Sequence, residues 1–538
     1  DIIPDVTLDD ETAGMNGVFS ISISPDGQRI QIADLDGIWE IRTDVGLPCS
    51  MSGDNTGVCD VLVDLGRPYR GAGLAVAVID TGVDSAHSGF GGLVTEGRDV
   101  ALGTLYNKEL PGTLDEMSHG TNGAGVIHQI APEAVIVPVK TDVSGTGGLS
   151  NRQILWEGVR YVADNPIVEH PITGELVPVV AGNMSFGLIN SEMVYDSERE
   201  AAQTDGSSLY TFKDQMQRWR SLGIYPVASA GNEGTLFEEA MDGMDLPAVI
   251  NEVVSVGATY PYGPTPPLEP PAGTELVDGD LIAFPDKVAA FSSRSQDTDF
   301  MAPGTAVRTF NSTIDLDFDD FPDLPPINLN YTGTSASAPY VTGIFTMVYS
   351  AVDFWSDVAS DGSTTEGFLG ASDAVPVNMS SILDIGPYLT PDGVHAILQW
   401  TSVPVNDIDL VFEDEVAQQF RLRNNGEDST EYRTYSRIDA GQAISAIEGA
   451  IAFDYFSHHP GLVAAIDSDN SGILTATEIQ NFSNDSSNSP TSRAMASMIG
   501  GTSSDSIQKR TDLFDRLNGD NGLGVEDGIG VHQIDVLA

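Results

Sequence analysis

Leu74-Ala75-Val76-Ala77-Val78-Ile79-Asp80-Thr81-Gly82 is an apolar run that ends on a carboxylate and a turn. A strand that is apolar throughout, and does not alternate, implies burial on both faces, as in a parallel sheet covered by helices. Open α/β sheets bind ligands beyond the carboxyl ends of their strands, so Asp80 is delivered to a functional edge. Ile224 to Ala230 repeats the pattern and delivers Asn232 just past its end. Ser335 precedes the apolar stretch Val341 to Val348. That stretch predicts a helix with Ser335 at its N-terminus, where the dipole favours negative charge.

The chemistry lies in four stretches: Val78-Ile79-Asp80-Thr81-Gly82, His119-Gly120-Thr121, Ala230-Gly231-Asn232-Glu233-Gly234 and Gly333-Thr334-Ser335-Ala336-Ser337-Ala338-Pro339. A serine hydroxyl is a weak nucleophile until a base takes its proton, and the base needs a partner that fixes its tautomer. Ser335, His119 and Asp80 can fill those roles. The Asn232 amide and the Ser335 N–H are candidate donors to a developing oxyanion. In this order the stretches resemble the subtilisin-like serine proteases (subtilases), in which acid, base and nucleophile follow one another as Asp, His, Ser.

The resemblance runs from about Gly71 to Phe453, with interruptions. It implies a three-layer α/β core with a mostly parallel sheet, and peptide-bond hydrolysis through an acyl-enzyme. Ile130 to Lys140, Pro247 to Ala258, Phe291-Ser292-Ser293, Met301 to Gly304 and Leu389 to Leu398 match further family landmarks. Asn183-Met184-Ser185-Phe186-Gly187 matches the strand along which substrate lies extended, so Ser185, Phe186 and Gly187 are expected to bind substrate, as are Ser229, Ala230 and Gly231. Counting back from Pro247 puts Asp245 at the base of the S1 pocket and Glu233 on its rim, which implies Arg or Lys at P1. Gly123, Ala336 and Tyr340 depart from the usual family residues without removing a catalytic group. Pro261–Asp286, Asn311–Asn330 and about Phe354–Ile385 are expected to be surface inserts, rich in Pro, Asp and Ser.

The 538 residues allow two or three domains. Against 79 Asp and Glu stand 24 Lys and Arg, a net charge of −55 that repels nucleic acid and anionic membrane surfaces. Two readings of this acidity stay open. Few lysines with many aspartates suit a protein working in high salt, where screening relieves self-repulsion; an acidic secreted protein holding calcium has the same composition. No apolar run approaches the length of a membrane span. The chain opens Asp1-Ile2-Ile3-Pro4, which leaves a removed signal peptide open. Cys49 and Cys59, with a short Gly- and Asn-containing loop between them, are either a disulfide of an oxidising compartment or two buried thiols. A secreted or cell-surface location is expected.

Val18 to Arg42 alternates between turn signals at Pro25-Asp26-Gly27 and Leu35-Asp36-Gly37, which predicts a three-stranded meander. At the other end, Asp467 to Glu478 fits the twelve-position EF-hand loop. Asp467, Asp469 and Ser471 offer side-chain oxygens, Gly472 the turn, Ile473 a carbonyl, Thr475 a water-mediated contact and Glu478 a bidentate carboxylate, all toward Ca2+. Asn518–Ile529 reads as a degenerate partner loop. The expected domains are 1–62, 63–455 and 456–538: a β extension, a peptidase domain with inserts, and a helical EF-hand-like region. Protein or peptide substrates are the expected partners. A surface partner through the C-terminal region, a calcium-dependent adhesion scaffold and a one-site processing protease are the alternatives.

Overall fold

The computed structural model describes residues 20–23, 29–34, 37–42, 56–59, 61–62, 67–101, 111–141, 152–187, 194–234, 243–260, 286–313, 327–361, 385–412, 418–422, 433–468 and 476–499. Cys49, residues 469–475 of the EF-hand-like loop, residues 518–529 and most of the three expected inserts lie outside them.

The chain starts with the meander its alternation predicts. Strands β1 (Ser20–Ile23), β2 (Arg29–Asp34) and β3 (Gly37–Arg42) form an antiparallel sheet, with Ile21 opposite Ile32 and Ile32 opposite Trp39. The core follows as β4 (Ala75–Asp80), β5 (Arg98–Asp99), α1 (His119–Ile130), β6 (Val135–Lys140), α2 (Arg152–Asp164), β7 (Ile167–Glu169), β8 (Leu176–Met184), α3 (Glu198–Ser221), β9 (Tyr225–Ser229), β10 (Val254–Thr259), β11 (Phe300–Pro303), β12 (Val307–Phe310), β13 (Ile327–Tyr331) and α4 (Thr334–Asp361). After it come α5 (Pro391–Thr401), β14 (Val403–Asn406), β15 (Ile408–Phe412), β16 (Gln418–Leu422), β17 (Thr434–Arg437), α6 (Ala440–Ser457), α7 (Pro460–Ile466), α8 (Ala476–Asn484) and α9 (Pro490–Ile499).

The central sheet runs β14-β17-β11-β10-β9-β8-β4-β6-β5, with β7 antiparallel on β8. From β5 to β17 every pairing is parallel; only β14 and β7 run against it. Every residue of β4 is buried, and its side chains alternate between two apolar layers. Val76 and Val78 face a cluster with Ile127, Val341, Ile344 and Ile447. Ala75, Ala77 and Ile79 face one with Leu155, Val159, Phe212 and Trp219. Helices α1, α4 and α6 thus cover one face and α2 and α3 the other, a three-layer α/β domain. Burial on both faces is why β4 reads as an unbroken apolar run.

Two expected inserts are narrower than the sequence suggested. Residues 327–330 lie in β13, which pairs with β12, and Ile327-Asn328-Leu329-Asn330-Tyr331 has the alternation of a strand. Phe354 is not a loop residue, because α4 continues to Asp361 with Ala351, Val352 and Trp355 buried.

At the C-terminal end, Val463 and Ile466 of α7, Ile479 and Phe482 of α8 and Met495 of α9 belong to the same apolar cluster as α4 and α6. A buried network fastens α6 to the chain before β4. Arg67 Nη2 donates to Glu448 Oε2 at 2.8 Å, Tyr69 donates to Glu448 Oε1 at 3.0 Å, and Trp355 Nε1 donates to the Tyr69 oxygen at 2.9 Å. No helix among the described residues is long and apolar enough to cross a membrane.

Candidate active site

Asp80 ends β4, Ser185 follows β8 and Asn232 follows β9, so the carboxyl ends of three neighbouring strands meet at one edge. His119 opens α1 and Ser335 stands in the first turn of α4, two helices that pack side by side on that face. His119 Nδ1 lies 2.8 Å from Asp80 Oδ1, an oxygen that also accepts the Thr81 N–H at 2.7 Å. The Asp80 side chain is 4% exposed and that of His119 35%, so a buried carboxylate orients an imidazole open to the cleft.

The start of α1 is held by Asp115, which the sequence reading passed over. Its Oδ1 accepts from Thr81 Oγ1, Met117 N and Ser118 N, and its Oδ2 from Thr121 N and Thr121 Oγ1. These donors favour the charged form, yet burial pushes the Asp115 carboxyl up. Ser118, the residue before the imidazole, sits in the left-handed region at φ 67°, which costs energy for a residue with a Cβ. Asp115 and the Ser312 N–H, which donates to Ser118 Oγ at 2.8 Å, hold it there. Gly120 is obligatory, because a Cβ at that position would collide with the Gly82 carbonyl. An acid three residues before Ser118 and a periodic helix is the signal that could have revealed Asp115.

On the Ser335 side, Gly333 at φ 134° turns the chain into α4. Asn232 Oδ1 accepts the Thr334 N–H at 2.8 Å and the Thr334 hydroxyl at 3.1 Å, so the amide oxygen satisfies a first-turn donor of α4. That leaves Nδ2 as the amide's donor. Ser335 Oγ lies 3.5 Å from the Ser185 carbonyl oxygen. The Ser335 carbonyl accepts from Ser185 Oγ at 3.0 Å and from the Tyr331 phenol at 2.9 Å. Tyr331, also missed in the sequence, reaches to 3.5 Å from His119 Nε2.

The expected S1 residues converge. The Asp245 N–H donates to the Ala230 carbonyl at 2.9 Å. A Cβ on Gly231 would meet Asp245 Oδ2 at 2.9 Å and collide with Glu233 Oε2; one on Gly187 would collide with Asp245. Asp245 is buried, and Glu233 Oε2 accepts the Ser293 hydroxyl at 2.9 Å. Burial, and then the neighbouring Glu233, push the Asp245 carboxyl up to about 8. Phe186 packs partly buried against the α2–α3 side of the core.

Among the expected calcium ligands, Asp467 caps the end of α7 and Glu478 lies in the first turn of α8, so the loop between them is flanked by helices. Glu478 Oε1 accepts from Ser468 N and Oγ, both at 2.9 Å. Asp469, Ser471, Ile473 and Thr475 lie outside the described residues. Among the described residues no three His, Cys, Asp or Glu gather as a metal centre.

The family model "Subtilase family" matches residues 71–364. The chain is 23% identical over 296 residues to the major intracellular serine protease of Bacillus subtilis (strain 168), covering 52% of this chain and 69% of that one. It is 25% identical over 314 residues to the subtilisin of Bacillus pumilus, covering 56% and 86%. The crystal structure of a lanthipeptide protease aligns over 72% of this chain and 92% of that one, at 19% identity and a TM-score of 0.44. A family match over more than half the chain, on the fold and side-chain geometry described, makes this chain a member of the subtilase family and a subtilisin-like serine endopeptidase.

Proposed function

We propose that Asp80, His119 and Ser335 form the catalytic triad of this protease, with Asn232 completing the oxyanion hole. The observation that carries the reading is the 2.8 Å contact of His119 Nδ1 with Asp80 Oδ1, which leaves Nε2 toward Tyr331, whose phenol bonds the Ser335 carbonyl. His119 Nε2 takes the Ser335 proton while Ser335 Oγ attacks the scissile carbonyl, and Asp80 stabilises the imidazolium. Asn232 Nδ2 and the Ser335 N–H meet the oxyanion. The imidazolium then protonates the leaving amine, and water releases the acyl-enzyme by the same route.

Substrate lies extended along Ser185, Phe186 and Gly187, with its P1 side chain between that segment and Ser229, Ala230 and Gly231. The convergence of Asp245 and Glu233 on Gly231 supports a preference for Arg or Lys at P1, through charge-assisted hydrogen bonds in a partly desolvated pocket. Ca2+ is proposed to bind Asp467–Glu478, whose oxygen donors suit a hard cation. The helix ends on either side of the loop support this, and bound calcium would neutralise carboxylates that otherwise repel one another. The proposed division is a β extension at 1–62, the peptidase domain at 63–455 and a calcium-binding region at 456–538, in a secreted or cell-surface protein.

A serine-directed fluorophosphonate is expected to label Ser335, and Ser335→Ala to abolish labelling and cut proteolysis to a residual rate. The residual rate would be that of the oxyanion hole and binding alone, about 1,000- to 10,000-fold above water, a figure established on subtilisin itself. Wild-type activity in Ser335→Ala refutes the assignment. Cleavage-site profiling reads P1, and better cleavage after Phe or Leu than after Arg refutes the basic preference.

A further inference from the structure

Pro339 lies in the early turns of α4. Its nitrogen has no hydrogen to give the carbonyl four residues back, which is that of Ser335. A part-buried carbonyl robbed of its helical donor needs another partner. Two hydroxyls supply it, Ser185 Oγ at 3.0 Å and the Tyr331 phenol at 2.9 Å. Tyr331 ends β13, whose hairpin partner β12 packs on α1, the helix that carries His119. The phenol is buried and reaches to 3.5 Å from His119 Nε2. The two rings meet edge to face, with centroids 5.6 Å apart and planes at 81°. Because the phenolic hydrogen goes to the Ser335 carbonyl, the Tyr331 oxygen turns a lone pair to its other neighbours.

We infer that Tyr331 is a positioning residue of the catalytic centre, which locks the carbonyl freed by Pro339 and offers a lone pair to the imidazolium that forms on His119. The proton passes from Ser335 Oγ to His119 Nε2 and on to the leaving amine; Tyr331 keeps its own. Burial, and then the carboxylates Asp80 and Asp115, hold the phenol well above its ordinary range. It therefore stays a donor to the Ser335 carbonyl throughout turnover.

This rests on the roles proposed for Ser335 and His119, and fluorophosphonate labelling of the wild type keeps the two readings apart: an unlabelled Ser335 sinks the earlier one. With Ser335 labelled, the test is steady-state kinetics of Tyr331→Phe across pH. A hydrogen bond to a charged group is lost, so kcat is expected to fall about tenfold with KM within about twofold. The acid limb of kcat/KM should move to lower pH, because the imidazolium is less favoured. A merely structural contact would leave that limb in place. Wild-type kcat and an unmoved limb, or a loss carried by KM, overturn the inference. Unfolding measured in a Ser335→Ala background checks that the variant folds. If it does not, proton NMR of the phosphonylated wild type decides. The His119 Nε2 proton should cross-relax with the Tyr331 ring protons, and no such signal overturns the inference.

Discussion

Asp245→Asn tests the chemistry of the pocket. Asp245 is a buried carboxyl pushed up to about 8, first by burial and then by Glu233. Among the described residues, Tyr195 also feels its charge. At pH 7 about one molecule in ten then carries Asp245 ionised, so a cationic P1 side chain must displace a proton at a cost of about 1.4 kcal/mol, a factor of ten. By pH 9 that cost has gone. The ratio of kcat/KM for a P1-Arg peptide to that for a P1-Leu peptide is therefore expected to rise about tenfold between pH 7 and 9. Ionisation of the general base acts on both substrates and cancels in the ratio. In Asp245→Asn the ratio should be low and flat; in Glu233→Gln the rise should move to lower pH, because a repelling charge is gone. The same group links to stability. Its folded value lies above its unfolded one, so its contribution is full below about pH 4 and is lost as pH rises to about 8. Asp245→Asn should remove that slope and gain about 2–5 kcal/mol at pH 8, read from denaturant unfolding in a Ser335→Ala background that cannot digest itself. A selectivity ratio that stays flat with pH in the wild type, or an unchanged stability slope in the variant, refutes the reasoning.

Asp115→Asn exchanges an acceptor oxygen for a donor in a site that meets five N–H and O–H groups. A loss of about 1–3 kcal/mol is expected in thermal unfolding, with kcat falling more than KM as the start of α1 loosens; an unchanged melt and kcat would show that Asp115 does not hold His119. Calcium at a hundredfold excess over Kd should stabilise the protein by about 2.7 kcal/mol at fixed high salt, with chelation loosening α7 and α8 first. Glu478→Gln should blunt that gain, while monovalent salt should act separately by screening the −55 charge. A melting profile indifferent to both calcium and Glu478→Gln would leave Asp467–Glu478 a plain acidic loop.

The parts that a sequence announces are those whose physics is local. β4 and β9 are largely apolar and buried throughout because both faces are covered, and their ends deliver Asp80 and Asn232 to one edge. Pro339 carries a local signal too: a proline inside a helix names the carbonyl it orphans, that of Ser335. What fills the gap was not legible. Tyr331 and Ser185 come from β13 and from the end of β8, and only the packed sheet and hairpin bring them to that oxygen. Asp115 is hidden for the same reason, since one of its five donors, Thr81, is 34 positions away in the chain.

The C-terminal helices carry this one step further. Periodicity shows that α7 and α8 have an apolar side, but not what it packs on. Ile466, Ile479 and Phe482 join the cluster that holds Val341, Ile344 and Ile447. Helix α6 crosses position 456, and it packs on α4, whose first turn carries Ser335. Calcium bound between α7 and α8 would therefore act on helices that share a core with the helix carrying Ser335. Any effect of calcium on Ser335 would then travel through that shared packing.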